Sequence, residues 1–163
     1  MKLQETDREF METFERFAFD EVVHEEGQDL DDQSRYMAIL SALIGCQGKE
    51  AFQMILPKAL EAGVTPVMVK EIVYQSVDYV GFGRMLPFLE ITNQVLEEGG
   101  IPLPLENQGT TTAENRLEKG AEAQAEIFGE QMKEAWKAGH INRWLAANCF
   151  GDYYTRKGLD LAQ

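Results

Sequence analysis

The sequence predicts an all-α protein, and three observations carry that prediction. Apolar residues recur at three- and four-residue spacing along most of the 163 residues, and no segment alternates convincingly with a period of two. Helix start and stop signals punctuate the same segments, with Thr65-Pro66 before one apolar run and Gly27, Gly63 and Gly81 after others. The composition, 44% hydrophobic and 26% charged, is that of a chain with a core rather than of a disordered or fibrous one.

The first predicted helix covers 7–25: Phe10, Met11, Phe14, Phe17, Ala18 and Val22 share a stripe, and Thr6 with Glu9 forms a capping box. The Phe stripe reads as a core face. Asp31 or Asp32 caps a second helix running to Cys46, whose residues from Tyr36 to Ile44 are apolar nearly all round, which predicts a central, buried helix. A third covers 49–62, with Pro57 marking a kink or break. Thr65 as N-cap and Pro66 at the first helical position open a fourth, reaching Val80 before Gly81. A fifth spans 85–97, where Pro87 is tolerated in the first turn. Glycines and prolines then make a surface connector over 99–112. Beyond it, Thr111 with Glu114 caps a sixth helix to Phe128, 130–138 forms a seventh, and Ile141, Trp144, Leu145 and Cys149 mark an eighth. The domain reading is one unit over 1–98, the connector, and C-terminal helices over 113–163.

Fifteen Lys and Arg against 28 Asp and Glu leave a net charge of -13, which repels phosphate backbones and anionic lipid surfaces, so neither nucleic acid nor membrane is an expected partner. No apolar run approaches the roughly 20 residues a spanning helix needs, and the first ten residues lack a secretory h-region. The expected compartment is the cytoplasm, with Cys46 and Cys149 reduced.

Three segments in order, Leu30-Asp31-Asp32-Gln33-Ser34-Arg35, then Ala59-Leu60-Glu61-Ala62-Gly63-Val64-Thr65, then Tyr79-Val80-Gly81-Phe82, resemble the carboxymuconolactone decarboxylase family, which includes the alkylhydroperoxidase AhpD. The resemblance covers about Phe14 to Leu96. It implies an AhpD-like helical fold assembled as trimers or hexamers, with active sites near subunit contacts. Gly158 to Gln163 can also be laid on Asp29 to Ser34, and Phe150 and Gly158 are spaced as Phe19 and Gly27 are. That comparison reads the chain as a first repeat followed by the opening of a second.

In the peroxidase branch, the resemblance implies a Cys-x-x-Cys pair, a His four residues after the second Cys, and a Glu after the helix-opening Arg. Those positions fall on Gly48, Ala51, Ile55 and Tyr36 here, so none of the four is present. Three residues are left as candidates for chemistry. Arg84, just after the Gly81-x-Gly83 junction, is placed to hold a substrate carboxylate. Tyr36 stands where the Glu would be and orients a ligand better than it accepts a proton. Cys46 is the thiol near the Cys slots, although the end of a helix disfavours a thiolate. Glu21 and His24 have one Glu-x-x-His spacing, too few donors for a di-iron site, and Gly81-x-Gly83 is no dinucleotide fingerprint. Neither a metal nor another cofactor is expected. The leading function is action on a small carboxylate or lactone. The alternatives are a peroxidase-like antioxidant acting through Cys46, and a non-catalytic assembly repeat.

Overall fold

The computed structural model describes residues 3–27 and 29–159, and among these there are helices and no strands. Two compact units are present, Met1–Asp31 and Asp32–Gln163.

In the first unit, α1 (Leu3–Thr6) precedes α2 (Arg8–Arg16), which widens into a π-helical turn over Phe17–Glu21. The capping box does not form. Thr6 Oγ1 donates to the neighbouring Asp7 carboxylate, and Asp7, the N-cap residue, makes no side-chain cap. The Phe stripe departs from its expected core role: Met11 is buried, whereas Phe10, Phe14 and Phe17 are exposed. A unit of about 30 residues has too much surface for its volume to bury a whole stripe. Its rings cover one another instead, Phe10 stacking on Phe14 at 6.4 Å and Phe14 meeting Phe19 edge-on at 6.1 Å.

The second unit begins with α3 (Asp32–Gly45), α4 (Lys49–Glu61), α5 (Pro66–Gln75), α6 (Val77–Val80) and α7 (Phe82–Glu98). The expected central helix is α3, and it is buried on one side only. Met37, Leu40 and Ile44 enter the core, and Ala38, Ser41, Ala42 and Gly45 form an exposed line on the helix. Ala38 and Ala42, counted as apolar in the sequence, are small and carry little area to bury, so one face suffices for the helix to dock. Phe52 and Leu56 of α4, Val69 and Val73 of α5, and Met85 and Phe88 of α7 complete the core, with Phe52 and Phe88 in edge-to-face contact at 5.1 Å.

Helix α4 runs through Pro57 without a break. Gln53, whose carbonyl the proline cannot satisfy, lies on the exposed face, open to solvent. At α5 the start signal works as read, since the Thr65 hydroxyl accepts from Met68 N at 3.2 Å and Pro66 opens the helix. The helix ends sooner than expected, because Ser76 Oγ donates back to Val73 O at 2.7 Å and the chain re-enters a helix only as α6. Gly81, at φ +79°, makes the left-handed corner into α7.

Residues 99–115 form the connector. Thr111 is not a cap: its hydroxyl donates to Gly151 O at 2.8 Å, and α8 (Arg116–Phe128) begins five residues later. A 3₁₀ segment (Glu130–Ala138) leads to α9 (His140–Trp144), which continues as a wide π-helical segment, Leu145–Tyr154. α8 and the π segment cross with backbones touching. A Cβ at Gly120 would lie 1.7 Å from Ala146 O, and one at Gly151 would lie 2.1 Å from Arg116 O. Phe19 and Phe150, which anchor the internal comparison, both lie in π-helical turns. Of the segment compared with Asp29 to Ser34, only Gly158 and Leu159 are among the described residues. No helix among the described residues is long and apolar enough to cross a membrane.

Candidate functional site

One face of α5 carries Val67, Lys70, Glu71 and Tyr74, spaced as neighbours on a helix. With Asn93 and Glu97 of α7, the connector from Leu103 to Gln108, and Arg156 from the tail, this face lines a cavity of about 490 Å³. That volume falls within the range of small-molecule sites. The opposite face of α5, with Val69 and Val73, is locked into the core, which holds Lys70 and Glu71 rigidly at the cavity wall.

Glu71 is 1% exposed and receives two hydrogen bonds from Arg156, Nε to Oε2 at 2.7 Å and Nη2 to Oε1 at 2.9 Å. Such a fork is the strong form of carboxylate recognition, and it holds the Arg156 pKa above its ordinary value. The guanidinium also lies 5.5 Å from the Tyr74 ring centre. The third guanidinium nitrogen, Nη1, makes no hydrogen bond to the described residues and remains available to a ligand. Other bonds fasten the tail over the cavity: Lys157 N donates to Gln108 O at 3.1 Å, Thr110 Oγ1 donates to Thr155 O at 2.8 Å, and Gly158 lies against Glu71 and Val67 so closely that a side chain there would collide.

Lys70 is 7% exposed, and its ammonium donates to the amide oxygen of Asn93, a neutral partner. Its Nζ lies 5.6 Å from the Tyr74 ring centre. Burial pushes the Lys70 pKa down, with Glu97 opposing. An ammonium held in this way is a stronger acid than one in water, and its neutral amine is a correspondingly weaker base.

Tyr36, Cys46 and Arg84 do not line this cavity. Tyr36, on α3, is half-buried and packs on the core. Cys46, just past the end of α3, is exposed, with its thiol directed to Leu43 O at 3.6 Å. Ten helical residues put it about 15 Å from Tyr36 along the axis. Arg84, in the first turn of α7, is exposed and makes no ion pair with the described residues. Both thiols are free. Cys149 shares a hydrogen bond with Asp78, and burial together with that carboxylate pushes its pKa up to about 12, which keeps it a thiol. His24 Nδ1 lies 2.7 Å from Asp20 O and Glu21 pairs with Arg16 at 3.1 Å, and no group of three metal-ligating side chains occurs among the described residues.

Residues 8–94, more than half of the chain, match the carboxymuconolactone decarboxylase family. The chain belongs to that family. Its fold is accordingly the family's AhpD-like helical fold, and the match takes in Lys70, Glu71, Tyr74 and Asn93. No curated protein and no solved structure matches the chain.

Sequence alone does not mark the Lys70 cavity, because its walls come from segments far apart in the chain. The available signal was two adjacent charges, Lys70 and Glu71, inside an otherwise apolar helix, where ionisable groups are costly without a purpose or a partner.

Proposed function

We propose that the chain is an enzyme of its family that acts on a small carboxylate or lactone bound in the cavity between α5, α7 and the connector. The observation carrying this reading is the buried Lys70 amine, facing a ligand-sized cavity beside an arginine with a free donor nitrogen. A substrate carboxylate would accept from Arg156 Nη1. In a decarboxylation the bond from carbon to the carboxyl group breaks, carbon dioxide leaves, and the electron pair left on the substrate takes a proton. The Lys70 ammonium, made more acidic by burial, supplies that proton and is recharged from water.

The test uses carboxymuconolactone as probe, with binding followed by calorimetry and turnover by carbon dioxide release. Lys70→Met abolishes turnover on this reading, and Arg84→Ala stays within about twofold of the parent. Loss of binding in Arg84→Ala with an unaffected Lys70→Met would instead place the substrate at Arg84 and Tyr36. A cytoplasmic setting belongs to the same reading and is supported by the two free thiols. So does assembly into trimers or hexamers, supported by the exposed line of small residues on α3, and light scattering after gel filtration measures it as a multiple of 18.4 kDa.

A further inference from the structure

We propose that a second cavity, where the first turn of α8 faces α9, binds a small oxyanion carried on an apolar body of about phenyl size. This site is independent of the Lys70 cavity. Its volume is about 350 Å³, enough for a one-ring ligand. Arg116, His140 and Arg143 supply its polar lining, Leu117, Trp144 and Ala147 supply apolar surface, and no carboxylate lines it. In a chain with 28 Asp and Glu against 15 Lys and Arg, two arginines lining one cavity with no carboxylate in its lining stand out.

The partners of the arginines sharpen the point. Arg8, Arg16, Arg35, Arg116 and Arg156 each hold a carboxylate. Arg84 and Arg143 hold none, and of these two it is Arg143 that lines this cavity; neither its guanidinium nor the His140 ring makes a side-chain hydrogen bond to the described residues. Arg116 gives one nitrogen, Nη1, to Asp152, which fixes the guanidinium and leaves its other donors uncommitted. A planar fork with open donors recognises carboxylate or phosphate oxygens in pairs. Trp144, 63% exposed beside it, offers a flat face on which an aromatic or aliphatic body can lie. Carboxylates and phosphate monoesters share this chemistry.

The chain has two tryptophans, so a Trp136→Phe variant leaves Trp144 as its sole indole reporter. Phenyl phosphate and benzoate are titrated against Trp144 emission, with benzyl alcohol as the uncharged control, and calorimetry on the unaltered chain gives a second readout. The expected result is saturable binding of at least one anion at millimolar concentration or below, and the two arms distinguish ester from carboxylate. Arg143→Ala weakens it by roughly tenfold or more, about 1.4 kcal/mol, Arg143→Lys does not restore it because the fork is lost, and Lys70→Met leaves it unchanged. Three results would overturn the proposal. They are no saturation by either anion up to about 10 mM, benzyl alcohol binding as well as the anions, and parent-like binding by an Arg143→Ala variant of unchanged helix content.

Discussion

Replacing Arg156 by methionine tests how the cavity wall is held. Glu71 is 1% exposed and both its oxygens are engaged by the guanidinium, at 2.7 and 2.9 Å. Methionine keeps much of the volume and removes the charge, stranding a carboxylate in a site water barely reaches. Breaking a buried pair in this way costs about 3–5 kcal/mol. The Arg156 side chain is 19% exposed, so some water screens the pair and the lower end, about 3 kcal/mol, is the expectation. For a chain of this length that is a fall in Tm of roughly 6–12 °C, read by calorimetry or far-ultraviolet circular dichroism at pH 7. The double variant Glu71→Met with Arg156→Met carries no stranded charge and returns to within about 1 kcal/mol of the parent. A single variant melting within about 2 °C of the parent, or a double variant at least as unstable as the single, would refute the reasoning.

Three further outcomes follow from the same structure. Because burial lowers the Lys70 pKa, the unfolded chain binds this proton more readily than the folded one just below the ordinary value of 10.5. Stability from this group therefore rises with pH in that window, and Lys70→Met removes the rise in melts taken between neutral pH and pH 10.5. Gly120→Ala puts a Cβ against the Ala146 carbonyl, which cannot move without parting α8 from the π segment, so a loss of about 3 kcal/mol is expected in denaturant titration. With a thiol reagent at pH 8, the native chain reacts rapidly at exposed Cys46, whereas Cys149 reacts only after unfolding, because its pKa is pushed up to about 12.

The helices were legible because periodicity and caps are local. Thr65-Pro66, Gly63 and Gly81 act in the structure as they read in the sequence. The misread starts have local causes too: Thr6 and Thr111 each had a nearer or stronger partner than the backbone they were expected to cap. The cavity was illegible for a different reason. Its residues lie at 67–74, 93–97, 103–108 and 156, and nothing local joins a connector to a tail arginine more than 80 residues from its glutamate. Tyr36 stands out by its place in the family pattern and Arg84 by the glycine junction before it, and neither signal carries information on walls built from distant segments.

The family match ends at residue 94, and the cavity does not. Its floor, Lys70 and Glu71, lies inside the matched stretch, while the lip from Leu103 to Gln108 and the clasp at Arg156 lie beyond it. Under the function proposed above, the proton donor and the ligand-holding arginine would lie in separable stretches of chain, one inside the family match and one beyond it. Relatives with the same floor and another lip would keep the chemistry and change its customer, and grafting a foreign connector onto this scaffold would be a direct way to retune it.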